Sequence, residues 1–488
     1  MSTPPRTIPV VRRLDELTSV ELTLPFERLR QLPNCVWLDS ASDHQSDRGR
    51  YSFLSADPVA WCVADMSSPD PWPVLQQWCR SLQHCRLATE TLPPFCGGLV
   101  ALIGYEAAWW LEPSLRPTSD RATSNIPGMA IGLYDWTIAV DHQLNQVWLL
   151  STGLSETFTL DAGRAEKRAD QVMLWLTQES PVHACSDAGG DVAIQPESHA
   201  SDGETRLQSN FTDTQFAAGV QEIIDGICQG DMFQVNLAQT LTHPATCSAG
   251  TLYERLRRMN PAPYAAYFDC GDYQVISSSP EGFLQVRNLH DDKRMVVTRP
   301  IKGTVRRTGD AATDARLGED LLASEKDRAE NIMIVDLMRN DLSRVCKDES
   351  VEVTGLCELE QYQRVQHLVS TVRGVLGPDA SISDLLAACF PGGSITGAPK
   401  VEAMRTIARL EGCPRGAYCG SLGYVSLSGD ADFNILIRTV TQKSTENHAA
   451  VWEFPVGGGI TARSNPRQET EETWVKAASL LEAIELAD

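Results

Sequence analysis

Lys302 lies in Thr298-Arg-Pro-Ile-Lys-Gly-Thr304, where Pro300 and Gly303 bracket it in a short constrained segment. Proline fixes one backbone angle and glycine admits unusual ones, so the direction of the amine is set locally. Such an amine is a nucleophile wherever its surroundings keep it neutral. The plain alternative is a solvated surface lysine, because lysine is rarely buried. Glu330 borders the run Ile332–Val335, which reads as apolar on every side and predicts a buried helix. A carboxylate there needs a partner, or else serves as an early-helix glutamate complementing the helix dipole. Glu472 and Lys476 stand four residues apart on one helix face, the spacing also of a surface ion pair. Glu330 and Glu472 together are candidate ligands for Mg2+, which takes one or two carboxylates beside substrate oxygens and water.

Other residues extend the chemistry. Glu281 ends Ser277-Ser-Ser-Pro-Glu281 at a predicted strand terminus, a position suited to a general acid or to a solvated turn. Arg438, within Asn434-Ile-Leu-Ile-Arg-Thr439, is expected inside an apolar strand, where burial asks for a carboxylate on the protein or on a ligand. His367, in Val365-Gln-His-Leu-Val-Ser370, suits a ligand contact or a satisfied core position. Phe390-Pro-Gly-Gly-Ser-Ile-Thr-Gly-Ala-Pro-Lys400 runs into a helix, a geometry suited to anions. It is no Walker A loop, since Ala-Pro separates Gly397 from Lys400 and no Ser or Thr follows. Gly457-Gly-Gly459 follows a strand-like run and lets a ligand approach the backbone closely, unless it is only a tight turn.

The elements that must position these groups are short strands and a smaller number of long helices. Helices are predicted over 162–176, 214–230, 323–340, 382–388, 399–410 and 469–486. Strands are predicted over 35–38, 129–134, 137–140, 146–150, 233–241, 264–268, 273–277, 284–286 and 422–426, with hairpin partners at 432–441 and 449–455. Strands and helices cluster instead of alternating, which favours an α+β fold over a doubly wound parallel sheet. The stretch 177–211 is rich in Ser, Asp, Gly, His and Glu and reads as a linker or surface loop between parts at 14–176 and 212–487.

Composition narrows the partners. The chain has 488 residues, 64 acidic against 42 basic, and a formal charge of −22. That field argues against nucleic acid and anionic membranes. An anionic substrate then needs a bound cation or a local basic cluster. The first residues lack a signal-peptide core, and the most apolar segment, 95–110, is too short to span a bilayer. Fourteen scattered cysteines without a Cys-x-x-Cys pair point to a reducing cytoplasm and not to zinc.

The ordered motifs KDRAENIMIVDLMRND, HLVSTV, FPGGSITGAPK, YCGSLGY, GGGI and EETWVKA give the chain a family resemblance over about 214–485. It resembles the chorismate-utilising enzymes, which include anthranilate synthase large subunits, aminodeoxychorismate synthase component I, and isochorismate and salicylate synthases. A weaker match precedes it at Trp37-Leu-Asp-Ser40, Arg50-Tyr-Ser52 and Gly97–Tyr105. The resemblance implies two packed β-sheets with helices outside and the active site in the cleft between them. It implies Glu330 and Glu472 as magnesium ligands, Glu281 as acid, and Gln234, Thr304, His367, Ser394, Tyr418, Arg438, Gly457, Gly459 and Lys476 as substrate contacts. Isochorismate synthases carry a lysine base at the position of Gln234, and they and anthranilate synthases carry alanine at that of Lys302. Gln234 with Lys302 therefore resembles the aminodeoxychorismate synthase branch, with Lys302 as nucleophile.

No Gly-x-Cys-x-Gly glutaminase turn is present, so the resemblance implies a separate glutaminase subunit as ammonia source. No pyridoxal-phosphate lyase is expected either, which makes 4-amino-4-deoxychorismate the expected product. It also implies a tryptophan pocket at Ser40, Arg50, Asn260, Pro261 and Tyr264. Ala262 stands where feedback-sensitive relatives have serine, which argues against regulation by tryptophan and leaves it a structural part. Two rivals are weighed. Lys302 argues against anthranilate synthase, and the presence of Glu281, Glu330 and Glu472 argues against a catalytically silent regulator on the same fold.

Overall fold

The computed structural model describes residues 9–15, 22–41, 49–87, 92–116, 127–177, 207–289, 293–362, 365–444 and 449–486. Alternation along the strands dictates the layers. Neighbouring pairs such as Val36 and Trp37, Phe53 and Leu54, Tyr267 and Phe268, or Val275 and Ile276 are buried in two different clusters. A strand with apolar side chains on both faces must be covered on both. A second sheet covers one face and helices cover the other.

Among the described residues the larger sheet has twelve strands. It runs β1 (Val10–Arg13), β8 (Gln146–Ser151), β7 (Trp136–Asp141), β3 (Tyr51–Ser55), β2 (Val36–Asp39) and β11 (Tyr264–Asp269). It continues β12 (Tyr273–Ser279), β21 (Thr439–Ser444), β22 (Ala450–Ile460), β10 (Gln234–Pro244) and β18 (Gly397–Ala398), with β9 (Gln208–Ser209) also on β10. The ten-stranded sheet begins β15 (Ile301–Arg306), β17 (Val365–Val375), β14 (Arg294–Thr298), β13 (Gly282–Asn288) and β20 (Ala431–Asn434). It ends β19 (Ser421–Ser426), β5 (Gly98–Ile103), β6 (Met129–Tyr134) and β4 (Ala60–Ala64), and β16 (Glu352–Gln361) pairs with β17. Both sheets are antiparallel, and this is the α+β architecture expected.

Helices α1 (Thr23–Leu29), α4 (Ala162–Thr177), α6 (Ala249–Met259) and α11 (Pro466–Glu485) fill the cluster on the outer face of the larger sheet. Helices α2 (Trp72–His84), α5 (Asp213–Gln229), α8 (Glu325–Ser343), α9 (Ile382–Cys389) and α10 (Lys400–Glu411) join the cluster that the two sheets share. Helices α3 (Ala108–Leu111) and α7 (Ala311–Ala323) complete the set. Among the described residues no helix is long and apolar enough to cross a membrane.

The parts on either side of 177–211 share both sheets: β2 pairs with β11 and β5 with β19, so each sheet takes strands from both sides. Local patterns carry no record of such distant pairing. Residues 178–206 lie outside the described residues, and by Gln208 the chain is already in β9. The expected strand over 432–441 is two strands, β20 and β21, in different sheets, and Arg438 lies in the crossing with φ of +50°. The apolar run of α8 is one-sided, with Ile334 and Val335 buried but Ile332 38% exposed. The expected helix from 323 to 340 also breaks at Ser324, whose hydroxyl accepts the Asp327 N–H and starts α8 afresh.

Candidate active site

Lys302 is carried by β15 beside an irregularity. The register against β17 shifts between Lys302 and Thr304, and Gly303 takes φ of +71° at the shift. A β-carbon added at Gly303 would come within 2.9 Å of Leu321 and 3.0 Å of Asp327, so glycine is required there. Such bulges re-aim side chains next to active sites. The Lys302 Nζ donates to the Ser394 carbonyl at 3.3 Å.

Around this amine the distant motifs converge. A β-carbon on Gly459 would lie 3.4 Å from Lys302 Nζ and 2.7 Å from Gln234 Nε2, so lysine and amide meet over a strand left bare by glycine. Gln234 is fully buried, and among the described residues neither its Oε1 nor its Nε2 has a hydrogen-bond partner. An unpaired buried amide is costly and is expected where a ligand completes the bonding. Ser394 Oγ donates to Glu281 Oε1 at 2.9 Å, placing the buried Glu281 in the same cluster.

Electrostatics follow from burial. Desolvation lowers the pKa of Lys302 and Lys476 reinforces this, while Glu330, Glu281 and Glu472 oppose it. Desolvation pushes Glu281 up to about 7, against the Ser394 hydrogen bond and Lys302. A carboxyl that can hold a proton thus faces an amine biased towards losing one, the pairing that acid and nucleophile require.

The acidic helices meet on the other side. Desolvation raises Glu330, with Lys302 and Lys326 opposing, and its Oε1 is buried without a hydrogen bond. Glu472 pairs with Lys476 at 2.8 Å, and Lys476 Nζ also donates to the Gly457 carbonyl at 2.8 Å. Despite desolvation, Lys476 holds Glu472 below the usual carboxylate range. Glu469, one turn before Glu472, was not anticipated. It is buried, accepts from Ser464 at 2.6 Å, and lies 3.9 Å from Lys326, which is itself 4.0 Å from Glu330. Its i, i+3 spacing to Glu472 was the available signal. No three histidine, cysteine or carboxylate groups close into a metal cage among the described residues. Glu330, whose Oε1 has no hydrogen bond among the described residues, and Glu472 nevertheless suit a hard cation whose remaining ligands are substrate and water.

Arg438 is half-buried, and no carboxylate or hydrogen bond engages its guanidinium among the described residues. A guanidinium held without a partner is prepared for a carboxylate from outside. Desolvation and the Arg438 charge push His367 down to about 4, so its ring is neutral, and its Nδ1 lies 2.8 Å from Thr304 Oγ1. Tyr418 is buried, with the Arg415 guanidinium 5.7 Å from its ring. Gly457 faces Ala238 of β10, where a β-carbon would come within 2.7 Å of Ala238 Cβ.

Lys400, at the end of the glycine-rich segment, pairs with Asp341 at 2.7 Å and donates to the Cys389 carbonyl. Ser40, Arg50 and Tyr264 line a separate pocket with Asp39, Arg287 and Tyr424, and Arg50 is held by Asp141 at 2.6 Å. Asn260 and Pro261 are not in its lining, and the Asn260 carbonyl is taken by the Ser278 hydroxyl.

Over 474 residues the chain is 36% identical to aminodeoxychorismate synthase component 1 of Salmonella typhimurium, covering 94% of this chain and 95% of that protein. Over 451 residues it is 35% identical to anthranilate synthase component 1 of a Synechocystis species, covering 89% and 88%. Among solved structures, anthranilate synthase component I from Streptococcus pneumoniae superposes with a TM-score of 0.72 at 31% identity, over 89% of this chain and 93% of that one. The profile of the chorismate binding enzymes matches residues 33–482, across both sheets and every group gathered around Lys302, and the chain belongs to that family.

Proposed function

We propose that this chain is the chorismate-binding component of an aminodeoxychorismate synthase, converting chorismate and ammonia to 4-amino-4-deoxychorismate for 4-aminobenzoate and folate synthesis. The observation that carries the reading is Lys302: a half-buried amine, depressed by desolvation, beside an acid pushed up to about 7. Arg438 and Tyr418 bind the enolpyruvyl carboxylate, with the backbone at Gly457 and Gly459 and the Ser394 hydroxyl beside it. Glu330 and Glu472 would hold a magnesium ion, which when bound supplies positive charge against the ring carboxylate. Thr304, the neutral His367 and Lys476 line the rest of the site.

Lys302 attacks ring carbon 2, forming a carbon–nitrogen bond as the double bonds shift and the bond from carbon 4 to its hydroxyl breaks. Glu281 protonates the departing hydroxyl, which leaves as water. Ammonia then bonds to carbon 4, the double bonds return, and the lysine is expelled. The ammonia comes from glutamine through a partner glutaminase, a reading supported by the name component 1 that the relatives carry. The pocket at Ser40, Arg50 and Tyr264 takes tryptophan as a structural ligand in this reading.

Anthranilate synthase is the second reading, favoured by relatives at nearly the same identity. Product identification decides between them. The chain is incubated with chorismate, magnesium and an ammonium salt, with and without an aminodeoxychorismate lyase. Formation of 4-aminobenzoate only with the lyase is the expected result. Anthranilate without it would overturn the reading, and unconsumed chorismate would mark a silent binder.

A further inference from the structure

Behind the site lies a buried carboxylate that the chemistry above does not use. Glu106 follows β5 in a single turn of 3-10 helix, Tyr105–Ala107, and is 5% exposed. Its Oε1 accepts the Arg415 N–H at 2.7 Å and its Oε2 accepts the Gly416 N–H at 3.0 Å. The Arg415 guanidinium is engaged elsewhere, by Glu411 at 2.6 Å and by the carbonyls of Ile395 and Asn236 at 3.0 and 2.9 Å. Glu106 therefore commits a buried carboxyl group, pushed up to about 7 by desolvation, to the backbone of one turn. Burying a carboxylate is costly, and a surface turn would need no such anchor.

That turn leads into the substrate contacts. The Tyr105 N–H donates to the Gly416 carbonyl at 2.8 Å, doubling the attachment. Two residues on stands Tyr418, whose N–H donates back to the Arg415 carbonyl at 3.1 Å. Next, the Cys419 N–H donates to the Leu436 carbonyl at 2.7 Å and the Leu436 N–H to the Gly420 carbonyl at 3.0 Å. Leu436 lies in the crossing that ends at Arg438, and Ile395, held by the Arg415 side chain, adjoins Ser394.

We propose that Glu106 is a positioning residue, through which the amino-terminal part of the chain holds Tyr418, Ser394 and Arg438 in register for the substrate carboxylate. The inference rests on the reading of those three residues as substrate contacts. It makes the amino-terminal part a component of substrate recognition as well as of the core.

The test uses Glu106→Gln in the full chain, since the amide keeps the size but turns an NH2 towards a backbone N–H. Steady-state kinetics are read at saturating ammonium while chorismate is varied. The expected result is a chorismate KM raised by about tenfold or more with kcat changed by less than about threefold, the signature of lost positioning in binding. Asp135→Asn serves as control, because Asp135 is equally buried but pairs with Arg168 away from the site. It is expected to lower Tm without moving KM. A Glu106→Gln enzyme with lowered Tm but unchanged KM overturns the proposal, as does a loss confined to kcat. Should that variant not fold, Glu106→Asp keeps the carboxyl group but shortens the reach; a raised KM there supports the proposal and an unchanged one overturns it. Chorismate KM is read whatever the product, so a wild-type enzyme releasing anthranilate would overturn the proposed function and leave this test intact.

Discussion

In the proposed reaction the Lys302 amine must be neutral to attack and the Glu281 carboxyl protonated to donate; both are biased that way by the same loss of water. Lys302→Ala is expected to lower aminodeoxychorismate formation by on the order of a thousandfold or more, with anthranilate as the minor product, read by chromatography and mass spectrometry. An unchanged product and rate would remove Lys302 from the chemistry. The acid sets the alkaline limb of kcat: Glu281 loses its proton as pH rises through about 7, and activity falls with it. Ser394 donates a hydrogen bond that lowers that pKa, so Ser394→Ala should move the limb to higher pH. A limb that stays in place would assign the acid elsewhere. Lys302, Glu281, Glu330 and Glu472 could be named as candidates from the sequence because each sits in a short motif that the family resemblance covers. Glu106 could not, because what marks it is burial and a partner far along the chain, and Glu469 had only its spacing to Glu472 as a signal.

Helix α8 carries Glu330 at an energetic disadvantage, half-buried and with one oxygen that has no hydrogen bond among the described residues. Glu330→Gln should therefore leave Tm unchanged or raised while the magnesium requirement increases by about ten- to a hundredfold. A normal magnesium dependence in that variant would take Glu330 out of the metal site. Most helices were legible from periodicity and caps: α5 opens on the Thr212–Gln215 capping box and closes on Gly230 at φ of +89°. The crossing at Ile435–Arg438 was not, because an apolar run reads the same whether it pairs in one sheet or passes between two. The left-handed conformation of Arg438 has no signature in its side chain.

The whole molecule is held by strand pairs that join its ends. A fragment beginning at residue 207 would lack β2 and β5, leaving β11 and β19 with open edges. We expect residues 207–488 expressed alone to aggregate or to lack a cooperative thermal transition by circular dichroism; a monodisperse, cooperatively melting fragment would contradict this. The α+β class was legible from clustered strands and helices, whereas the interleaving was not, since contacts between distant segments leave no local trace. The position of β21 and β22 has a consequence in time. These late strands lie between β12 and β10, both made much earlier. At ~5–20 residues per second the ribosome leaves those two edges waiting for on the order of 10–40 s. An interior part of the sheet is thus its last piece to arrive, and β10 and β12 keep open edges until then.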